Sequence, residues 1–461
     1  MEKVKYMKRI DFENGTITNN ILNAAIPMLV AQILSLLYNI VDRVYIARIP
    51  NVGTNALGAV GLCFPIIMIM TAFSNLFGSG GAPLFSIKRG MGDEKSANTI
   101  MNTSFTMLCG SAIILMCICL LFAAHLLTLF GASDTALKYA YPYLCIYLIG
   151  TLPSMIATGM NPFINAQGYS TIGMLSVAIG AIANLILDPV FIFILNLGIK
   201  GAAVATVISQ LMSASFVIYF LRFKAELKIS FIRKNELPHC LNFAKDIISL
   251  GTSGFVMQLT NSLVSICCNN VLSVTGGDIY ISVMTIVSSI RQMVETPIYA
   301  INEGSSPIIS YNYGAKRPGR VRKAGLTMGA LILGYTAVMW SIILLAPHML
   351  INIFSSDTSL MENAVSALKI YFAAFIFMDL QYIGQTIFKS LNKKKQAIFF
   401  SLLRKVFIVI PLTYIMPYAL NMGTNGVFAA EPVSNIIGGS ICFITMLCTI
   451  LPELKQMEND R

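Results

Sequence analysis

Long apolar runs separated by short polar or charged segments extend along the whole chain. Residues 51–87, 96–124 and 139–187 carry no charge, and neither do residues 247–277 or 406–430. A helix that crosses a bilayer needs roughly 20 apolar residues. Turn residues and charges divide the runs into twelve predicted spanning helices, at 20–44, 55–87, 97–123, 137–160, 171–195, 200–221, 244–272, 279–312, 320–346, 362–388, 397–418 and 424–450.

The pattern repeats after about 224 residues. Residues 198–202, which open a helix of small apolar residues, recur as 423–427, and residues 133–135 recur as 356–358. Two copies of one multi-helix unit are typical of secondary transporters. Because each copy has an even number of spans, both enter the membrane from the same face. The predicted fold is therefore all-α, with twelve transmembrane helices in two six-helix lobes related by a pseudo-twofold axis along the membrane normal.

The predicted domains follow from this repeat. They are a cytoplasmic N-terminal segment (1–19), an N-lobe (20–222), a cytoplasmic linker (223–243), a C-lobe (244–450) and a cytoplasmic tail (451–461).

Composition and charge indicate the compartment. Hydrophobic residues make up 56% of the chain and charged residues 11%, with a mean hydropathy of +0.72, which excludes an ordinary soluble domain. The net charge of +11 comes from Lys and Arg gathered in alternate loops. This is the positive-inside pattern of a multi-pass protein of the plasma membrane with both termini in the cytoplasm, and it requires no nucleic-acid partner.

Enzyme signatures are missing from the sequence. The ten cysteines form no CxxC pair, the three histidines (His125, His239 and His348) are scattered, and no stretch resembles a Walker A loop. We therefore expect no enzymatic activity, no cofactor and no bound metal beyond a coupling ion. Energy for transport must then come from an ion gradient or from a partner.

Polar residues in the predicted N-lobe helices are candidates for binding that ion. An ionised carboxylate at mid-bilayer costs at least about 2.5–3.5 kcal/mol, so it persists where it is paired, hydrated or functional. Asp42 and Asp188 are such residues, Asn184 precedes Asp188 by one helical turn, and Thr206 lies on the next helix. Their oxygens suit a small cation or a shared proton. The alternative is that Asp188 caps a helix broken by Pro189, and that Asp42 marks the membrane interface.

The predicted C-lobe has acidic residues at Glu295, Asp379 and Glu431, with Arg291 one turn before Glu295. Arg291 and Glu295 can simply neutralise each other. Glu431 occupies the repeat position of Thr206, which indicates a second polar site, suited to a cationic drug. No Asn-x-x-x-Asp pair recurs in this half, so the sequence does not predict a second ion-coupling site of the same kind there.

Two further features bear on transport. Pro27 in the first span and Pro297 in the eighth are candidate bend points. The 25 Met, 27 Phe and 18 Tyr residues suit a promiscuous pocket for flat cations, although any membrane bundle is rich in these residue types.

Several segments in register resemble the multidrug and toxic compound extrusion (MATE) family, most closely its bacterial DinF-like and MepA-like branch. They are residues 26–27, 38–42, 184–189 and 197–206, and the resemblance covers about residues 15–452. It implies twelve helices in two six-helix lobes, and export of organic cations in exchange for protons or sodium. We expect the protein to function as a monomer. Residue by residue, it puts Asp42, Asn184, Asp188 and Thr206 on the family's N-lobe cation site. Asp379 matches the neighbourhood of an acidic coupling residue.

Two alternatives remain open at this point. One is a flippase for a lipid-linked saccharide, which Arg291, Arg404 and Lys405 favour and the acidic residues disfavour. The other is an intramembrane enzyme, for which no nucleophile–base pair is evident. Between the coupling ions we favour protons, with sodium able to occupy the same oxygens.

Overall fold

The computed structural model describes residues 9–50, 52–232, 237–353 and 358–460, and within these ranges it is helical with no β-strand. Several residues that support the loop-charge count and the repeat lie outside the described residues, namely Lys3, Lys5, Lys8, Arg233, Lys234, Ser356, Asp357 and Arg461.

The first half of the chain forms six predicted spans in eight α-helices. Two of the spans end in wide π-helical turns, at Val190–Ile194 and Phe220–Lys224. The α-helices are α1 (Ile17–Ala47), α2 (Gly53–Gly90), α3 (Glu94–Leu121), α4 (Ala123–Leu129), α5 (Asp134–Ile149), α6 (Thr151–Ala166), α7 (Ser170–Pro189) and α8 (Gly198–Tyr219).

The second half repeats this arrangement, with π-helical turns at Leu403–Val409, Ile415–Ala419 and Asn435–Gly439. Its α-helices are α9 (Leu237–Thr275), α10 (Asp278–Gly314), α11 (Pro318–Leu345), α12 (Pro347–Ile351), α13 (Thr358–Tyr371), α14 (Phe375–Ser390), α15 (Lys394–Leu402), α16 (Ile410–Tyr414), α17 (Gly423–Ser434) and α18 (Ser440–Asn459).

The predicted membrane fold is confirmed. By length and composition, nine helices of the described chain are able to cross a membrane, and two bent pairs raise the number to eleven. The remaining predicted span is α10, which carries Arg291, Glu295 and Glu303 within its length. Two of these residues, Arg291 and Glu295, line the cavity described below. Large side chains such as Leu121 and Leu345, which are 79% and 85% exposed, suit contact with lipid.

Two spans are broken where the sequence analysis predicted single helices. The α5–α6 pair bends by 55° and the α13–α14 pair by 50°. At the first break, Pro153 cannot donate a backbone hydrogen bond to the Ile149 carbonyl, so the helix is interrupted at Gly150. At the second, the Trp340 indole donates to the Phe372 carbonyl at 2.6 Å. Side-chain contacts of this kind cannot be found from hydropathy.

The helices form two compact units, each with its own core. Unit 1 contains the described parts of residues 1–11 and 26–251, and unit 2 those of residues 12–25 and 252–461. The division falls inside α1, between Ala25 and Ile26, and inside α9, between Gly251 and Thr252. Residues 12–15 are tied to unit 2, because Asn312 Nδ2 donates to the Phe12 carbonyl at 3.1 Å and Arg320 Nη2 to the Gly15 carbonyl at 2.7 Å.

The segment after α8 packs onto unit 1. Asn102 Nδ2 donates to Ser230 Oγ at 2.9 Å, and the Ser230 backbone N–H donates back to Asn102 Oδ1 at 2.8 Å. The buried Arg89 pairs with Glu226 at 2.7 Å and donates to the Ala166 carbonyl. The first residues of the predicted linker are thus attached to the ends of α2, α3 and α6.

Candidate functional site

Four side chains that the sequence analysis selected meet inside unit 1. Asp42 lies on α1, Asn184 and Asp188 on α7, and Thr206 on α8. Asn184 Nδ2 donates to Asp188 Oδ1 at 3.1 Å and lies 3.5 Å from Thr206 Oγ1. Asp188 is completely buried and Asn184 nearly so. The Thr206 hydroxyl itself donates to the Ala202 carbonyl one turn earlier, at 2.9 Å, so its lone pairs face the group.

The carboxyl groups of Asp42 and Asp188 lie within hydrogen-bonding range of each other. Two carboxyl groups form such a bond only when one of them carries a proton. Three oxygens of the group are buried and have no hydrogen-bond donor among the described residues: Asp42 Oδ1, Asn184 Oδ1 and Asp188 Oδ2. A cluster of unpaired acceptors is costly in an apolar interior, so it favours a bound proton or a small cation.

The alternative structural roles of the two acids can now be compared with this geometry. Helix α7 does end at Pro189. Within the described chain, however, the hydrogen bond to Asp188 comes from the Asn184 side chain rather than from a backbone N–H at a helix end. Beside Asp42, the Arg43 guanidinium is exposed and lies 5.9 Å from the Phe64 ring centroid. It interacts with Asp42 only through their electrostatic attraction.

Two tyrosines of α5 also lie near the carboxyl groups of Asp42 and Asp188, and the sequence analysis did not select them. Tyr143 is buried and interacts electrostatically with both carboxyl groups, and its ring stacks on Tyr147 with centroids 6.1 Å apart. The Tyr147 hydroxyl accepts from Gln210 Nε2 at 3.3 Å. The spacing of four residues between the tyrosines was a usable signal, since it puts both hydroxyls on one helical face.

The polar residues of unit 2 form a different kind of group, which we call the Arg291 cluster: Arg291, Glu295, Arg404, Lys405 and Glu431. Arg291 on α10 pairs with Glu295 at 2.6 Å and with Glu431 on α17 at 2.8 Å. Glu431 Oε1 also accepts from Arg404 at 2.8 Å and from Lys405 at 3.3 Å. Three basic side chains therefore converge on one carboxylate oxygen.

A cavity of about 310 Å³ opens beside this cluster within unit 2. Arg291, Glu295, Lys405 and Glu431 line it, together with the Tyr371 ring. The Tyr371 hydroxyl accepts a hydrogen bond from Arg291 Nη1. The pairing of Arg291 with Glu295 that the sequence suggested is present, but it is one contact of a larger network. The sequence analysis named Arg404 and Lys405 only as basic residues that favour a flippase, and it did not predict their contact with Glu431.

Asp379 lies on α14, next to the cluster but not hydrogen-bonded to it. It is completely buried, and its carboxyl group lies near the Thr336 hydroxyl of α11, although neither carboxyl oxygen makes a well-formed hydrogen bond within the described part of the chain. Its neighbour Met378 lies 3.6 Å from Arg291 Nη2. The two candidate bend points are inside long helices, Pro27 in α1 and Pro297 in α10.

No group of three or more His, Cys, Asp or Glu residues suited to a metal ion occurs among the described residues.

Comparison with known proteins was made on both sequence and fold. The MatE family model matches residues 27–190 and 254–415, which are repeat-related parts of the two halves. Similar curated proteins include the multidrug export protein MepA of Staphylococcus haemolyticus, 25% identical over 94% of both chains. The same protein of Staphylococcus aureus is 23% identical over 95% of this chain and 94% of its own.

Solved structures share the fold. A MATE protein crystallised in a bent conformation has a TM-score of 0.90 at 22% identity, over 98% of this chain and 99% of its own. A transporter from Pyrococcus furiosus of the MOP superfamily has a TM-score of 0.89 at 22% identity, over the same shares, and is described as having a binding pocket of reversed polarity that suggests a different function. The relatives are transporters, so the expectation that the chain is not an enzyme is confirmed.

Proposed function

This chain belongs to the MatE family of multi-pass membrane transporters, and from that premise we propose that it is a secondary active multidrug antiporter. It would export cationic, amphipathic organic compounds in exchange for protons or sodium ions. The observation that carries the proposal is the pair of carboxyl groups of half-buried Asp42 and buried Asp188 in unit 1. They lie among acceptors that have no donor among the described residues.

The coupling ion acts in this proposal by changing the charge of that pair. Without the ion, two adjacent carboxylates attract an organic cation but repel each other. A proton or sodium ion entering from outside neutralises part of this charge and lowers the affinity for the cation. Because linkage is reciprocal, binding of the organic cation weakens ion binding by the same factor.

Both ions have suitable ligands in this group. A proton can be shared between Asp42 and Asp188, and the pair then titrates as a unit. Sodium can take the same carboxylate oxygens together with Asn184 Oδ1 and Thr206 Oγ1, all of which are hard oxygen ligands. We favour the proton, because it needs only the two carboxyl groups to approach each other.

Helix α1 connects this site to a change of conformation. It carries both Asp42 and Pro27, and the missing hydrogen bond at a proline is a common cause of helix bending. We propose that ion binding at Asp42 changes the bend of α1 at Pro27, with Pro297 serving α10 in the same way. The protein would act as a monomer in the plasma membrane with both termini in the cytoplasm.

A flippase for a lipid-linked saccharide is the second candidate. The Arg291 cluster favours it, since three basic side chains suit a diphosphate. The relative described as having a reversed pocket polarity illustrates that such folds differ in function. The carboxyl pair of unit 1 argues against this candidate, because it would repel an anionic substrate.

Transport in inverted vesicles tests the proposal. Ethidium uptake is measured with proton and sodium gradients imposed separately, for the wild type, for Asp188→Asn and for the control Asp134→Asn, which removes an exposed carboxylate at the start of α5. Asp188→Asn should insert normally but reduce gradient-driven uptake by roughly tenfold or more, because the charge is lost at constant volume. The control should transport normally. Wild-type uptake by Asp188→Asn at any pH rejects the site.

A further inference from the structure

One face of α7 carries only polar and small residues along its whole length. They recur every three or four positions and so share one side of the helix. These residues, which we call the α7 stripe, are Ser170, Gly173, Ser176, Gly180, Asn184 and Asp188. The stripe begins at the predicted cytoplasmic end of unit 1 and ends at the carboxyl pair. At 1.5 Å per residue it is about 27 Å long, which is most of the apolar thickness of a bilayer.

Polar side chains of α6 and α8 face this stripe. Asn161 Nδ2 of α6 donates to Ser176 Oγ at 2.8 Å and to the Gly173 carbonyl at 2.9 Å. One turn further along α6, Asn165 Nδ2 donates to Asn161 Oδ1 at 2.9 Å. From α8, the Ser213 hydroxyl donates to the Ser176 carbonyl at 2.7 Å. Amide and hydroxyl groups of three helices are therefore linked along the stripe.

Two buried polar groups of this region have no hydrogen-bond partner. Asn165 is 6% exposed, and its Oδ1 accepts no hydrogen bond from the described residues. A Cβ placed on Gly173 would lie 2.5 Å from that oxygen, so the amide is directed at the stripe. Ser170 is 2% exposed, and its hydroxyl is likewise unpaired within the described chain. Ordered water commonly satisfies buried polar groups of this kind.

The middle of the stripe has space for small polar molecules, because Gly180 has no side chain. A Cβ placed on Gly180 would lie 3.3 Å from the Ser213 Cβ, and the nearest backbone atom of α8 would be 3.6 Å away. The backbones of α7 and α8 are therefore not in the tight contact that small residues usually allow. The room beside Gly180 is about that of a methyl group, which is also the size of a water molecule, and the Ser213 hydroxyl borders it.

Unpaired acceptors thus occur at both ends of the stripe. At the carboxyl pair they are Asn184 Oδ1 and Asp188 Oδ2, and near the predicted cytoplasmic end they are Asn165 Oδ1 and Ser170 Oγ. Helix packing alone does not explain them, because apolar side chains would pack without the cost of unpaired polar groups. A line of waters along the stripe satisfies the acceptors at both ends.

We propose that the α7 stripe holds a chain of waters that carries the coupling proton from the Asp42–Asp188 pair to the predicted cytoplasmic end of unit 1. The proposal rests on the proton-coupled transport inferred above and adds an exit route to it. Each water accepts one proton from the side of the carboxyl pair and passes another one on. One proton therefore leaves the pair, and one enters the water on the cytoplasmic side. Asn161, Asn165 and Ser213 are positioning residues, because they orient the waters without being protonated themselves.

The route affects how fast the proton leaves, but not how tightly the carboxyl pair holds it. Asn165→Leu keeps the branched side-chain shape and removes the unpaired acceptor. Calorimetry on the purified full-length variant, from pH 5.5 to 8.5, should therefore give the wild-type pH dependence of ethidium affinity. In inverted vesicles, ethidium uptake driven by a proton gradient should fall about tenfold, because a water of the route loses a hydrogen-bond partner. Asn165→Ser keeps an acceptor and should restore about half of the wild-type rate.

A second variant, Gly180→Ala, puts a methyl group into the middle of the route. At 3.3 Å from the Ser213 Cβ this group fits with a small adjustment, so the variant keeps the test decisive if Asn165→Leu does not fold. Uptake should fall about fivefold, because the methyl group takes the place of a water. The matched controls are Asn98→Leu on α3, which also removes an unpaired amide oxygen, and Gly110→Ala, where nothing lies within 4 Å. Both controls should transport as the wild type.

Replacing H2O by D2O separates a proton route from a structural role. Uptake by Asn165→Leu should slow more in D2O than uptake by the wild type, because proton transfer along the damaged route then limits the rate. Equal slowing overturns the proposal, and so does a changed pH dependence of ethidium affinity in Asn165→Leu. Wild-type uptake by both Asn165→Leu and Gly180→Ala overturns it as well.

The water route and the transport function fail separately. Uptake driven by a sodium gradient but not by a proton gradient rejects the proton route and leaves the antiporter in place. Wild-type uptake by Asp188→Asn rejects the coupling site, and that result does not depend on any variant of the stripe between Ser170 and Gly180.

Discussion

The two units differ in the side chains that contact their buried carboxyl groups. In unit 1, Asp188 receives one amide hydrogen bond and faces a second acid, Asp42. In unit 2, one oxygen of Glu431 receives three basic side chains. Removing a neighbour therefore has opposite consequences. Loss of a partner in unit 2 leaves a buried charge unpaired, whereas loss of a ligand in unit 1 should weaken the attraction for the proposed coupling ion.

A prediction at this scale concerns Thr206. Thr206→Val keeps the side-chain shape and removes the hydroxyl near Asn184. Losing one hydrogen-bonding ligand costs about 1 kcal/mol, or roughly fivefold in ion affinity. Calorimetry should show that ethidium affinity in this variant needs about fivefold more sodium than in the wild type to fall by half. Its pH dependence from pH 5.5 to 8.5 should stay the same, because a shared proton needs only the two carboxyl groups.

The matched control is Ser209→Ala, one turn along α8, whose hydroxyl donates to the Ala205 carbonyl at 2.7 Å. It should behave as the wild type. If the affinity of the wild type for ethidium does not depend on pH or on sodium, the coupling mechanism itself is excluded.

At the scale of elements, small residues allow helices to approach closely. A Cβ at Gly78 of α2 would lie 2.4 Å from the Gly159 carbonyl oxygen of α6, and one at Gly439 would lie 2.0 Å from the Phe377 carbonyl oxygen. Close backbone approach replaces the hydrophobic driving force that helices lack inside a bilayer. The breaks at Gly150 and at residues 372–374 belong to the same scale, because they turn α6 and α14 away from the directions of α5 and α13.

We predict that Gly78→Ala destabilises the protein and that Gly58→Ala does not. Both variants add one methyl group to α2, but only at Gly78 would that group collide with backbone atoms, and at Gly58 nothing lies within 4 Å. Overpacking of this kind costs about 1–3 kcal/mol. The thermal midpoint in detergent should fall for Gly78→Ala and stay level or rise for Gly58→Ala. Equal midpoints would contradict the close approach of α2 and α6.

For the whole molecule, the internal repeat corresponds to two units with separate cores. The chain does not divide between them where the repeat divides. Residues 12–25 pack with unit 2, and α9 belongs to unit 1 up to Gly251. Helices α1 and α9 are therefore each divided between the two units. The pseudo-twofold axis and the predicted domain boundaries stay predictions.

Topology is the prediction at this scale. In a variant without native cysteines, Lys316→Cys and Lys393→Cys should be labelled by an impermeant maleimide only in inverted vesicles. Lys138→Cys and Lys200→Cys should be labelled only in intact cells. The physical reason is the preference of Lys and Arg for the cytoplasmic side. Labelling of position 316 or 393 in intact cells would contradict both the orientation and the even number of spans.

The sequence by itself determined the properties that depend on near neighbours in the chain. Apolar runs of sufficient length predicted the spans, and the spacing of Asn184 and Asp188 predicted that they share a helical face. The repeat predicted two similar halves. Resemblance within these segments identified Asp42 and Thr206 as members of the same site.

Tertiary structure decided which faces of distant helices meet, because helix rotation and bending depend on packing rather than on hydropathy. It brought Tyr143 toward the carboxyl pair, and it joined Glu431 to Arg291, 140 residues away, and to Arg404 and Lys405. It also made α10 the polar wall of a cavity. In the sequence this helix showed only as a less apolar stretch, since the partners that balance its charges lie on other helices.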